Sequence, residues 1–331
     1  MFFAYYDASL AGRPFLCVDG VVDGGINLSH WPGNRTPPHL RADTTTEMSL
    51  KLARDPGRER WIEDIVIVTN NHFDTDGLLS VFGVLRPQEA LAHERLLLQA
   101  ARTGDFGEFT TPDAFKFDIV VTAFDDDARS PVAAEVRGLP DRQRHQILYD
   151  RLLGMLPGLL TGAAAYKDLW AKDLQDLMRS MIRIGDVTRI REHEAARLTV
   201  IEAAEPLVRM ARFKAAAHHR VLTATRTSDG PVYEMAFQIF SWFDTVTPPR
   251  GGRFDLTPVA AELEALERDR GGRWTYTGDD SLDARLYRAG SGGDPVPSTL
   301  PLETVESALL RACAAQPNPA TAARPEPSPA A

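Results

Sequence analysis

The chain has 331 residues, 44% of them hydrophobic and 25% charged, with a formal net charge of −9. That length supplies one large or two modest domains with material for a buried core. The acidic balance argues against nonspecific nucleic-acid binding, which needs cationic surface to displace phosphate counterions. It leaves an anionic small-molecule substrate open, since a metal or a few arginines reverse the local field.

The start, Met1 to Asp7, lacks a basic segment followed by a sustained apolar run, so it does not read as a signal peptide. The longest apolar-leaning stretch, Leu152 to Tyr166, is short and broken by Gly and Pro, so no membrane span is expected and a cytoplasmic location is the default. Cys17 and Cys313 are the only cysteines and make neither a disulfide framework nor a zinc motif. Phe15-Leu16-Cys17-Val18 reads as a first buried strand, stopped at Asp19-Gly20. A loop rich in Gly and Pro follows, holding Ser29-His30-Trp31-Pro32-Gly33, Arg35 and Arg41. Asp43 stands where an N-cap belongs, ahead of a helix from Thr44 to Arg54 with Glu47 in its first turn.

Ile65 to Thr69 is a β-branched run without alternation, as buried parallel strands are. It leads into Asn70-Asn71-His72-Phe73-Asp74-Thr75-Asp76-Gly77, after which an apolar helix is expected to open at Leu78. A helix from Gln88 to Thr103 and a third buried strand at Ile119 to Thr122 complete an α/β domain over residues 1–129. Helices are expected at Arg142 to Leu156, Ala163 to Met181 and Val187 to His219, the last either continuous or broken near Pro206. Val221–Thr227 with Tyr233–Phe240 read as a hairpin, Thr257 to Arg268 as a helix capped by Thr257, and Trp274–Thr277 with Ala284–Tyr287 as a last hairpin. The expected class is therefore α/β: a parallel-sheet N-terminal domain, then a mostly helical second half carrying β-hairpins over 130–290. Residues 291–331 read as a linker, a short helix at Leu302 to Ala314 and a disordered Pro/Ala-rich tail from Pro317.

The chemistry is expected at the turn after the second strand. In parallel sheets ligands bind at the carboxyl ends of strands, where loops meet helix N-termini. An extended turn aims His72, Asp74 and Asp76 to one side, and imidazole with carboxylates suits Mn²⁺, Fe²⁺ or Zn²⁺ better than Mg²⁺. Gly77 is read as supplying a tight turn. An ordinary Asp-capped turn has the same Asp-x-Asp-Gly pattern. Asp19, at the same sheet edge, and His30 are further candidate ligands, with ordinary turn and loop residues as the alternative. Asn71, with Asn70, is placed to position water or orient the carboxylates, or merely ends the strand. Arg35 and Arg41 are candidate anion clamps. The run Asp125-Asp126-Asp127 reads mainly as a solvated loop.

His72-x-Asp74-x-Asp76-Gly77-Leu78-x-Ser80 after a hydrophobic strand resembles the first motif of the DHH phosphoesterases. The resemblance covers about a dozen residues and implies His72, Asp74 and Asp76 as ligands of two divalent metals, usually manganese, that activate water for attack on phosphorus. Some sixty residues and a strand precede the motif here, whereas the family's lies near the N-terminus. The family's Asp-His-His and Gly-Gly-Gly-His motifs are missing, since His218-His219 follow Ala217. A permuted site drawing Asp19 and His30 from upstream is one way to complete the ligand set. Leu28 to Gly33, Asp43 to Glu47 and Asn70 to Gly77 together look similar to an uncharacterised bacterial, largely actinobacterial, family, which supplies no activity. The resulting expectation is a metal-dependent, phosphoesterase-like hydrolase of a small, phosphorylated molecule, with Asp76, His30 and Asn71 nearest the reaction. The rival expectations are a metal enzyme on a metabolite without phosphate, hydrolytic or of the nonhaem-iron type, and a binding protein without activity.

Overall fold

The computed structural model describes residues 1–10, 12–187, 189–247, 252–269 and 271–316, so the expected tail from Pro317 lies outside the described residues. The chain divides into two compact units. The first comprises Met1–Met181, Val208–Lys214 and Phe243–Pro249, and the second Ile182–Leu207, Ala215–Trp242 and Arg250–Ala331. The α/β class holds, with a parallel sheet in the first unit and a mixed sheet in the second.

In the first unit, strands β1 (Phe2–Phe3), β2 (Phe15–Val18), β3 (Ile26–Leu28) and β4 (Ile67–Thr69) pair in parallel in the order β1-β4-β2-β3. Every residue of β2 and β4 is buried, which accounts for apolar runs without alternation. Helices α1 (Thr45–Arg54) and α2 (Arg58–Ile62) carry the chain from β3 to β4. Thr44 caps α1, its side chain accepting from the Glu47 N–H at 3.3 Å. Asp43 is therefore not the cap: its carboxylate accepts from the N–H groups of Val246 and Thr247.

After β4 come α3 (Thr75–Leu85), α4 (Pro87–Ala92), α5 (Glu94–Phe106) and α6 (Pro112–Phe124). The expected third strand at Ile119 to Thr122 is part of α6. Thr111 caps that helix, Pro112 sits in its first turn, and burial of Ala114, Phe115, Phe117, Val120, Val121, Ala123 and Phe124 covers most of its circumference. A helix buried nearly all round carries no period that separates it from a strand. Next come α7 (Ala133–Val136), α8 (Asp141–Thr161) and α9 (Lys167–Val187). The core joins strand residues Leu16, Val18 and Val68 to Leu78, Phe82, Leu97, Val120 and Leu152 of the helices.

The expected helix from Val187 to His219 is instead β5 (Arg189–His193), β6 (Leu198–Ala203) and α10 (Arg209–Ala215), the last lying in the first unit. Thr199-Val200-Ile201 is β-branched, and β6 pairs on both sides, with β5 antiparallel and β7 (Arg220–Thr225) parallel. The hairpin of β7 with β8 (Val232–Phe237) forms as expected, as does that of β9 (Arg273–Tyr276) with β10 (Arg285–Ala289). Helices α11 (Thr257–Leu266) and α12 (Leu302–Ala314) pack on this six-stranded sheet. Thr257 does not cap α11 but is its first residue: Leu256 occupies the N-cap position, with no side-chain capping bond. Among the described residues no helix is long and apolar enough to cross a membrane.

Candidate metal centre

The first sheet delivers three chain segments to its carboxyl edge. Asp19 directly follows β2, Ser29-His30 follows β3, and Asn70 to Asp76 follows β4 into α3. Asp19 has a φ of 56°, a left-handed conformation that Asp tolerates better than most residues and that turns its side chain off the strand line. Asp74 caps α3 and accepts from the Gly77 N–H at 2.8 Å, so the helix opens at Thr75 rather than Leu78. Gly77 is not in the left-handed region. A Cβ there would stand 2.5 Å from Asn70 Nδ2 and 2.7 Å from the Tyr149 hydroxyl, so the requirement is close approach, not turn geometry.

Two clusters form around Asp19. The buried one holds Asp19, His30, Asp76 and Asp105, and the outer one Asp19, His72 and Asp74, with ligand-type atoms in each within 4.8 Å of one another. His30 Nε2 lies 3.1 Å from Asp105 Oδ2, 3.3 Å from Asp19 Oδ1 and 3.7 Å from Asp76 Oδ2. His72 Nε2 lies 3.1 Å from Asp19 Oδ2 and 3.1 Å from Asp74 Oδ2. The side chains of His30 and Asp76 are wholly enclosed, whereas His72 is 21% and Asp74 40% exposed, so only the outer cluster faces solvent.

Both imidazoles are oriented from behind. His30 Nδ1 sits 2.5 Å from the Asp43 carbonyl oxygen, which can only accept, so Nδ1 carries the proton and Nε2 is left to face the carboxylates. His72 Nδ1 meets Asn71 Oδ1 at 3.3 Å in the same sense. Metal-ligating histidines are held in this way, with the far ring nitrogen donating to an oxygen. Asp76 is gripped at the N-terminus of α1, where the Thr45 N–H reaches Oδ2 at 2.6 Å and the Thr46 N–H reaches Oδ1 at 2.8 Å. The Thr45 hydroxyl donates to Asp19 Oδ1 at 3.0 Å. Behind the turn, Thr75 donates to Asp118 at 2.6 Å, and Tyr149 donates to the His72 carbonyl at 3.2 Å.

The electrostatics are those of a crowded acid pocket. Burial, then the charge of Asp19, pushes the Asp76 carboxyl up to about 7. Burial and the charge of Asp76 raise Asp105 well above the carboxylate range. Burial opposes ionisation of Asp19 as well, but the imidazoles of His30 and His72 beside it outweigh that and hold Asp19 below its ordinary value. Burial likewise disfavours the charged form of His30, yet contacts with Asp105 and Asp19 lift it well above the usual imidazole value. Four carboxylates surround two imidazoles, and His30 Nε2 and Asp105 Oδ2 are buried with no well-formed hydrogen bond. This is the donor set and charge excess that divalent cations satisfy.

Asp19, His30, Asn71, His72, Asp74 and Asp76 thus meet at one place, with Asn71 as support for His72. Arg35 and Arg41 do not join them. Arg35 donates to the carbonyls of Val22 and Gly24, and Arg41 to that of Thr36, because loop carbonyls without a partner strand need donors. Asp125 and Asp127 pair with Arg144. Asp105 is the ligand-type residue that sequence reasoning missed. Its signal was an acid placed four residues after Ala101 on the Leu97–Ala101 apolar stripe of α5, where a core residue is expected.

The chain belongs to a family of unknown function, DUF6687, whose model matches residues 1–323. No curated protein matches it. Among solved structures, the pGpG-specific phosphodiesterase PggH from Vibrio cholerae aligns over 83% of this chain and 98% of its own, at 12% identity and a TM-score of 0.35. A similarity of that size carries no argument about activity.

Proposed function

We propose that this protein is a metal-dependent hydrolase of phosphoesters, with Asp19, His30, Asp76 and Asp105 holding one divalent cation and Asp19, His72 and Asp74 a second. The observation that carries the reading is Asp19, whose Oδ1 faces His30 and whose Oδ2 faces His72. A carboxylate that turns one oxygen to each of two imidazole-carboxylate groups is suited to bridging two ions. The mixed nitrogen and oxygen set favours manganese, iron or zinc over magnesium. The phosphoester assignment draws on the resemblance of His72 to Ser80 to the first DHH motif, and Asp19 and His30 supply the upstream ligands that a permuted arrangement requires.

When bound, such ions supply Lewis acidity, making a nucleophile available near neutral pH and offsetting charge that develops on phosphoryl oxygen. The chain's own contribution is placement. Asp43 and Asn71 fix the ring orientations, and the N-terminus of α1 holds Asp76 with both oxygens aligned. Substrate approaches from the side of His72 and Asp74, the solvent-facing members. The outer set has one histidine and two carboxylates, the inverse of the two-histidine, one-carboxylate set of nonhaem-iron oxygenases, which disfavours the oxidative alternative.

The test is elemental analysis of protein purified without chelators, followed by hydrolysis of bis-p-nitrophenyl phosphate with Mn²⁺. Bound metal and Mn²⁺-dependent turnover are expected, with turnover falling by more than about a hundredfold in Asp76→Asn at unchanged helix content. Full activity in that variant would sink the assignment.

A further inference from the structure

The chain leaves the second unit after Trp242, and residues 243–247 belong to the first. This short excursion lies on the buried cluster. The Phe243 ring stacks on His30 at 4.1 Å between centroids and 22° between planes, and meets Phe106 edge-on at 5.6 Å. The Asp244 N–H donates to the His30 carbonyl at 2.6 Å. Further along, the N–H groups of Val246 and Thr247 both donate to Asp43 Oδ1, each at 2.8 Å. The other Asp43 oxygen takes Arg102 Nη1 at 3.0 Å, and Arg102 is itself pinned by Glu108 through two bonds of 2.9 Å. Asp43 therefore acts twice, with its carbonyl orienting His30 and its carboxylate gripping the segment that covers His30.

An apolar ring stacked on an enclosed imidazole excludes water from that face of the cluster. A two-N–H grip on a carboxylate is strong while made and is released by moving one short segment. We propose that residues 243–247 form a seal over the buried metal position, latched by Asp43, and that the seal sets how fast an ion enters and leaves there. The inference rests on the metal-site reading above. The outer position has the Trp31 ring beside His72, at 4.6 Å between centroids, but its His72 and Asp74 side chains still reach solvent, so it exchanges faster and the two positions differ in kinetics.

The experiment loads the full-length protein with Co²⁺, counts the bound ions, then mixes it with excess chelator and follows the visible absorption. Wild type should bind two ions and release them in a fast and a slow phase. Phe243→Ala and Asp43→Ala should each speed the slow phase at least about tenfold and leave the fast phase within about twofold. Phe243→Leu, which keeps an apolar cover, should stay near wild type. Asp43→Ala retains the carbonyl that orients His30, so it carries the test alone if Phe243→Ala does not fold. Two bound ions with an unchanged slow phase in the variants overturn the seal. A wild-type protein that binds no Co²⁺ removes the metal-site reading itself, an outcome already distinct at the counting step.

Discussion

At the scale of single residues, the centre is asymmetric around Asp19. Both clusters use this side chain, whereas Asp105 touches only the buried one. Replacing Asp19 by Asn removes charge from both positions, so Asp19→Asn is expected to lose both ions on elemental analysis. Asp105→Asn is expected to retain the outer ion and to weaken the inner one by at least tenfold, since even indirect supports of ligands are worth about 10–100-fold in metal affinity. Equal loss of both ions in the two variants would contradict the shared-carboxylate arrangement. Much of this centre was legible because it is local. His72, Asp74 and Asp76 lie on one turn, and Asp19 and His30 directly follow strands whose apolar runs mark the sheet edge. For Asp105 the apolar stripe of α5 marks only an acid on the buried face; its approach to His30 depends on how α5 packs, which no local pattern encodes.

At the scale of elements, the crossing of α1 and α3 positions the site, since α1 presents its N-terminal amides to Asp76. Gly83 makes the close approach possible: a Cβ there would stand 2.2 Å from Ser49 Oγ and 3.1 Å from Ser49 Cβ. Alanine gains about 1 kcal/mol of helix propensity over glycine, but forcing atoms into a packed contact costs about 1–3 kcal/mol. The clash should win, so Gly83→Ala should lower stability by about 1–2 kcal/mol in denaturant melts. Ser49→Ala removes the nearest atom, so the double variant should recover part of that loss, a non-additivity that a double-mutant cycle reads directly. Strict additivity would mean that the helices separate instead. Each misread element has its own physical cause. The Ile119 to Thr122 run looked like a strand because α6 is buried nearly all round. The segment after Val187 looked helical because it is rich in Arg, Leu and Met at helical spacing, while β6 is a strand through pairing with β5 before it and β7 after it, which that spacing does not encode.

At the scale of the whole molecule, the two units differ in what stabilises them, and solution conditions should separate them. Ligand binding to the folded state alone adds about 2.7 kcal/mol at a hundred times Kd, so Mn²⁺ should raise the melting transition of the first unit only. Acid should act on the second. There, the enclosed Glu267 carboxylate accepts from Ser298 Oγ at 2.5 Å, from the N–H groups of Arg268 and Thr299, and lies 3.7 Å from buried Arg288 Nε. Burial opposes its ionisation, but these hydrogen bonds win and lower its pKa from 4.5 to about 2. A carboxyl depressed in the folded state contributes stability that is complete above the unfolded value and is lost as pH falls through the folded one. The window is therefore about pH 4.5 down to about 2. At about 1.4 kcal/mol per pH unit, the contribution is on the order of 3 kcal/mol. Glu267→Gln should lower the stability of the second unit at pH 7 and flatten its decline between pH 4.5 and 2, with the Mn²⁺-sensitive transition unmoved. A variant that keeps the wild-type acid slope would show that other carboxyls carry the acid sensitivity of this unit.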